Sequence, residues 1–126
     1  MLDHESLDAY CRSLPEVTAS SPFGPDNVVY KVGGKMFALV SLDLPRINLK
    51  CDPDTALALR ERHEAVEPGY HMSKRHWNSV YWEREALPKG LLEEWVRHSY
   101  ALVYGSLTAK LRTALPDGAT VTADVA

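Results

Sequence analysis

The sequence predicts an α+β fold, an antiparallel sheet covered on one face by an N-terminal and a C-terminal helix, with a short helix inserted among the strands. Three observations predict it. Apolar residues recur at helical spacing near both ends of the chain, period-two alternation fills much of the middle, and Gly33-Gly34 separates two alternating runs as a hairpin turn would. Strands grouped between terminal helices, instead of alternating with them, point away from a parallel sheet. The chain of 126 residues has room for one core, since single domains take on the order of 100 to 150 residues. We place that domain at residues 1–115 and a tail at residues 116–126.

Leu2 to Leu14 carries Leu2, Leu7, Tyr10, Cys11 and Leu14 close to helical spacing, and Pro15 stops the helix. The next segment, Ala19 to Asp26, is turn-forming throughout and reads as a loop. The period then changes to two. Val28–Val32 and Lys35–Ser41 form the hairpin about Gly33-Gly34. Simple pairing across that turn sets Tyr30 opposite Phe37 and Val28 opposite Leu39 on the core face. It leaves Val29, Lys31, Met36 and Ala38 on a mixed outer face. A third strand, Arg46–Lys50, points Ile47 and Leu49 inward and Arg46, Asn48 and Lys50 outward.

Asp52 followed by Pro53 opens a short helix through Arg62, aspartate as cap and proline at the first helical position. Pro68-Gly69 breaks the chain again. Tyr70–Met72 and Asn78–Glu83 suit a second hairpin, Val80 and Trp82 on one face and Ser79, Tyr81 and Glu83 on the other. From Pro88 to about Ala114 apolar residues recur in steps of three and four, giving a long amphipathic helix that Pro116 ends and in which Gly105 marks a bend or a close contact. Asp117 to Ala126 shows no pattern that requires order.

Composition excludes several classes. The 45% hydrophobic and 25% charged fractions rule out a disordered or fibrous chain. No window approaches the roughly 18 apolar residues of a spanning helix. The N-terminus carries Asp3, Glu5 and Asp8 where a signal peptide would be basic and then apolar, so a soluble cytoplasmic protein is expected. A net charge of −3 argues against coating nucleic acid through bulk charge. That total is unevenly spread. Residues 1–30 hold one basic side chain against five acidic ones, whereas residues 31–89 hold ten against eight. Residues 68–77 hold Lys74, Arg75, His71, His76, Tyr70 and Trp77 with no acid. The chain reads as an acidic body with a local basic and aromatic surface.

Three chemistries follow from these residues. A metal site could recruit His71 and His76 with Cys51 or Asp52, but that spacing matches no common ligand pattern, and surface histidines are the simpler reading. Cys51, flanked by Lys50 and Asp52 near a helix start, could serve as a nucleophile, although a strand-end cysteine without a base partner is more often a small buried apolar group. Gly33-Gly34 lacks the following helix of a phosphate-binding loop. The third possibility is binding without chemistry. Lys31, Arg46, Asn48 and Lys50 on the outer face, with Tyr70, His71, Lys74, Arg75, His76 and Trp77 from the second hairpin, combine phosphate-pairing cations with planar groups able to stack on bases. The competing reading is a sheet face shielded by long cationic side chains.

Several motifs occur together: Pro22-Phe23-Gly24, Lys31 to Ala38 with its Gly-Gly turn, Asn48 to Asp52, Pro68 to Met72 with Lys74, His76-Trp77-Asn78, and His98-Ser99-Tyr100. In this order the chain resembles the MmcQ/YjbR-like family of small bacterial proteins over roughly residues 3–112. The resemblance implies a CyaY-like α+β sandwich, shared with frataxin-type proteins, and DNA binding through a paired-wing motif. It adds Lys35 and Asn78 to the expected surface. Frataxin-type iron binding does not carry over, because Asp3, Glu5 and Asp8 are sparse and Arg12 interrupts them. No cofactor and no catalytic set are expected. The expected function is weak, salt-sensitive DNA binding by the two hairpins, with a small-molecule or protein partner on the same face as the alternative.

Overall fold

A computed structural model describes residues 2–123. Helix α1 (His4–Ser13) is opened by Asp3, whose carboxylate accepts the Ser6 N–H at 2.7 Å while the Ser6 hydroxyl reaches back to the Asp3 backbone. Six strands follow: β1 (Val17–Ser20), β2 (Asn27–Val32), β3 (Lys35–Ser41), β4 (Arg46–Lys50), and, after helix α2 (Pro53–Arg62), β5 (Val66–Pro68) and β6 (Trp77–Tyr81). Helix α3 (Lys89–Gly105), helix α4 (Ala109–Ala114) and a 3₁₀ turn (Pro116–Thr120) complete the chain. The sheet is antiparallel throughout, in the order β1-β2-β3-β4-β6-β5. The α+β class, the inserted helix and helical cover on one face are as the sequence predicts.

The core lies between that face and the helices. Leu7 and Cys11 of α1, Ala56 and Leu59 of α2, and Leu92, Trp95, Val96, Tyr100 and Val103 of α3 join Tyr30, Val32, Phe37, Val40, Ile47, Leu49 and Val80 in one apolar cluster. Ser99 locks α3 to the sheet, its hydroxyl donating to the Phe37 carbonyl at 2.5 Å and accepting the Lys50 N–H at 2.8 Å. The β2–β3 turn is the expected one, Gly33 and Gly34 having φ of 59° and 81°.

Pairing beyond that turn is shifted. Lys31 pairs with Met36 but Tyr30 with Ala38 and Val28 with Val40, so Phe37 is an extra residue in β3. The expected pairs Tyr30–Phe37 and Val28–Leu39 do not form. The bulge turns both Phe37 and Ala38 into the core, where the Phe37 ring meets Tyr100 edge-on with centroids 5.2 Å apart. Ala38 is thus core, and Leu39 pairs with Val29 on the opposite face.

Three further segments depart from the pattern reading, and the break after Gly105 falls where a bend was expected. Val17–Ser20 is an edge strand where a loop was expected from Ala19, its Val17 and Ala19 packing on the core. The partner of β6 is Val66–Pro68, and Tyr70–Met72 belongs to the connection, not to a strand. The C-terminal helix divides after Gly105, where buried Leu107 packs so closely on Gly33 that a Cβ there would lie 2.6 Å from it. In the expected tail, Pro116–Thr120 folds back and Gly118 is buried against the Tyr104 ring, with no room for a side chain. The rest of that tail, residues 124–126, lies outside the described residues, as does Met1.

Candidate functional site

The second sheet face has no helix over it. Alternation and register place Asn27, Val29 and Lys31 of β2, Met36 and Leu39 of β3, Arg46, Asn48 and Lys50 of β4, and Trp77, Ser79 and Tyr81 of β6 on it. Part of it is roofed by the connection from Pro68 to Trp77. Tyr70 donates its backbone N–H to Ser79 Oγ at 2.8 Å, Ser79 donates its hydroxyl to Asn48 Oδ1 at 2.6 Å, and Asn48 Nδ2 donates to the Tyr70 carbonyl at 3.3 Å. This closed triangle pins the connection to the sheet.

Two loops make a cleft on this face. Phe23, from the Pro22-Phe23-Gly24-Pro25 turn, and Tyr70, His71 and Met72, from the pinned connection, stand above a floor of Asn27, Met36, Leu39, Arg46 and Asn48. The cleft holds about 360 Å³. Its aromatic walls are unusually open, Phe23 being 68% and Tyr70 49% exposed. The Arg46 guanidinium lies 4.3 Å from the centre of the Tyr70 ring and donates through Nε and Nη2 to Ser41 Oγ at 3.2 and 2.9 Å. His71 also packs edge-on against the Tyr70 ring, centroids 4.1 Å apart, with a backbone φ of 56°. That left-handed conformation costs a residue with a Cβ about 1 kcal/mol.

Each expected site residue can now be placed. Arg46, Tyr70 and His71 line the cleft, and Lys31, Lys50 and Trp77 share its sheet face at the end nearer the Gly33-Gly34 turn. Lys35 sits at that turn. Asn48 is on the expected face but only 2% exposed, because the Tyr70 connection covers it. Asn78 lies on the opposite, helix-covered face, where its Oδ1 accepts from Arg60 Nε at 2.7 Å and its Nδ2 donates to the Ala56 carbonyl at 3.4 Å. It holds α2 and is not part of the open surface. Lys74 and Arg75 leave the open face as well, lying beside Pro53, Asp54, Leu57 and Arg60 of α2. Arg60 draws them there by donating to the Lys74 and Trp77 carbonyls. Exposed His76 is outside the set of residues lining the cleft, and its carbonyl accepts the Cys51 N–H at 2.8 Å.

Phe23, Met36, Leu39, Met72 and Ser79 were not among the expected site residues, although alternation sets Met36 on the outer face and Ser79 opposite Val80 and Trp82, as found. An aromatic ring inside a proline-and-glycine turn with no amphipathic partner was the available signal for Phe23.

Chemistry elsewhere is muted. Cys51 is buried, and burial, followed by the Asp52 charge, pushes its thiol up to about 12, which removes the thiolate a nucleophilic role would need. Among the described residues no three His, Cys, Asp or Glu side chains gather closely enough to hold a metal ion. None of the described helices is long and apolar enough to cross a membrane.

Comparison with known proteins assigns the lineage. The YjbR family model matches residues 12–102. The chain belongs to the YjbR family. It is 39% identical to the uncharacterized protein YbdF of Escherichia coli O157:H7 over 109 residues, covering 85% of this chain and 88% of that one. It is 31% identical to YjbR of Escherichia coli K12, covering 84% and 91% respectively. The crystal structure of Deinococcus radiodurans protein DR2400 superposes with a TM-score of 0.82 at 34% identity, over 89% of this chain and 86% of that one. A Pseudomonas syringae protein, 23% identical with a TM-score of 0.71, shares the fold over 81% of this chain and 99% of its own. In this YjbR-family chain the turn containing Phe23 and the connection containing Tyr70 both lie within the matched span.

Proposed function

We propose that this YjbR-family protein binds DNA through the open sheet face, with phosphates paired by Lys31 and Lys50 on that face and by Lys35 at the turn on its rim, and planar groups meeting Trp77, Tyr70 and Phe23. The observation that supports this reading is that Lys31 and Lys50 share one face with the exposed rings of Tyr70 and Phe23 and with half-buried Trp77. Among the described residues none of these three lysines enters an ion pair. Register puts the Gly33-Gly34 turn and the Pro68–Trp77 connection at the same end of the sheet, since Val32 pairs with Lys35 there and Lys50 with Trp77. The two connections can therefore flank one ligand as a pair of wings. Lys74 and Arg75 lie beside α2, away from the open face, and contribute less than sequence position suggests. With about three phosphate contacts, affinity falls about fortyfold on duplex and about twentyfold on a single strand as salt rises about fourfold.

The test is fluorescence anisotropy of labelled DNA at low and moderate salt. Binding that weakens with salt and is lost in a Lys31→Ala, Lys50→Ala double variant supports the proposal; no binding at low salt refutes it. The cleft itself favours a second reading, because about 360 Å³ suits one small planar molecule. A thermal shift produced by a free metabolite and by no oligonucleotide would establish that reading instead.

A further inference from the structure

We infer that the cleft between Phe23 and Tyr70 receives one unpaired base, so that the protein prefers single-stranded DNA to duplex. The inference rests on the DNA-binding reading above and names the form of DNA that this site takes. Four observations carry it. First, the walls are aromatic and open: Phe23 is 68% exposed although the prolines on both sides restrict its turn, so the ring is presented rather than stowed. Leaving such rings in water is unfavourable unless a ligand covers them. Second, Met36 and Leu39 of the floor and Met72 of the wall give the cleft an apolar side that suits the face of a heterocycle, beside the polar Asn27, Arg46 and Asn48.

Third, polar groups are few and already oriented. Arg46 spends Nε and Nη2 on Ser41 and lies against the Tyr70 ring, while no protein group among the described residues takes its Nη1. Asn48 is held by Ser79 and by the Tyr70 carbonyl. A planar guanidinium with free N–H groups beside an aromatic wall can donate to acceptors on a base edge or stack upon its face. Fourth, the two lysines of this face stand outside the cleft, Arg46 being the cation within it. Lys31 and Lys50 stand on the same face toward the turn end, whereas Asp26 and Asp43 occupy the loops at the opposite end. A strand with its base in the cleft would run its phosphates toward the lysines and away from the aspartates.

Duplex DNA cannot use this arrangement. Its bases are stacked and paired, and extracting one costs a few kcal/mol, whereas a single strand offers its bases already splayed for stacking. A surface made only for duplex phosphates would need the lysines and neither ring.

The experiment compares three labelled ligands of equal length by anisotropy at low salt: an oligothymidylate, a duplex, and a strand of abasic residues that keeps the phosphates and offers no base. The intact oligothymidylate is expected to bind about tenfold more tightly than either of the others, from one base stacked. Phe23→Ala and Tyr70→Ala should each remove most of that advantage and leave abasic-strand binding unchanged. Phe23 is exposed, so its variant should melt at the wild-type temperature, which separates a lost contact from a lost fold. Duplex and abasic strands binding as tightly as the oligothymidylate, indifferent to both substitutions, would overturn the inference and leave DNA binding standing. Absence of binding to all three would overturn the DNA-binding reading itself.

Discussion

Ser79 donates its hydroxyl to Asn48 Oδ1 at 2.6 Å across the β4–β6 ladder while accepting the Tyr70 N–H at 2.8 Å, so one buried serine joins two strands to the wall of the cleft. Both Ser79 and Asn48 are buried, and removing one partner strands the other away from water. Ser79→Ala should therefore cost about 1 to 3 kcal/mol of stability, read as a shifted midpoint in urea. It should also speed hydrogen exchange in residues 69–76 more than elsewhere, because the connection loses its tether. Equal acceleration across the whole sheet would show that the triangle serves global stability only.

His71 makes a different prediction from the same wall. Its φ of 56° is a conformation that glycine adopts freely and a residue with a Cβ adopts at a cost of about 1 kcal/mol. His71→Gly should raise the melting temperature slightly or leave it unchanged, while losing the ring that packs on Tyr70. Weaker oligothymidylate binding in a protein that is no less stable would mark His71 as kept for the site. A clear drop in melting temperature would mean that its packing on Tyr70 outweighs the backbone strain.

How much of this was legible in the sequence depends on the range of the interaction. The β2–β3 turn follows from Gly33-Gly34, and α2 follows from Asp52-Pro53, because a few adjacent residues decide each. The bulge at Phe37 was not legible. Strict alternation has no place for an extra residue, and what selects it is the distant Tyr100 ring and the Ser99 hydroxyl on α3. Strand β1 was hidden because a four-residue edge strand carries too little pattern to outweigh the turn-formers beside it. In the site, alternation put Arg46, Asn48 and Lys50 on one face correctly, yet it could not show that a connection would cover Asn48. Asn78 entered the expected surface through the family resemblance alone, while alternation along its own strand sets it with Val80 on the core face, where Arg60 holds it.

That change of company also separates the cations into two sets. Lys31→Ala with Lys50→Ala should abolish most low-salt DNA binding and flatten the slope of affinity against salt by about two contacts. Lys74→Ala with Arg75→Ala, near Asp54 and turned toward α2, should change that slope by less than one contact. Titration of all four proteins across one salt series checks both statements. Equal losses in the two double variants would show that the ligand wraps around the sheet edge onto α2, contrary to a site confined to the open face.

The last prediction concerns acid. His98 on α3 accepts the Asp52 N–H through Nε2 at 3.3 Å, a bond that only the neutral tautomer with a bare Nε2 can make. Burial lowers the His98 pKa below its ordinary 6.5, against the opposing pull of Asp52 and Glu94. The unfolded chain therefore takes up the proton first. The contribution of His98 is complete above its ordinary value and is lost as pH falls through the lower, folded-state value. Asp8 and Glu85 act further down. Burial pushes the Asp8 carboxyl up, but the Tyr30 hydroxyl at 2.6 Å and the Arg12 guanidinium at 2.9 Å overcome it and hold it low. Glu85 is held low first by the Ala65 N–H at 2.9 Å and then by His63. Their contributions remain until pH drops through the carboxylate range. Urea midpoints should accordingly decline in two stages, a first below about pH 6.5 and a second below about pH 4. His98→Gln, which keeps an acceptor for the Asp52 N–H but cannot titrate, should abolish the first stage and spare the second. Persistence of the first stage in that variant would assign it to another histidine.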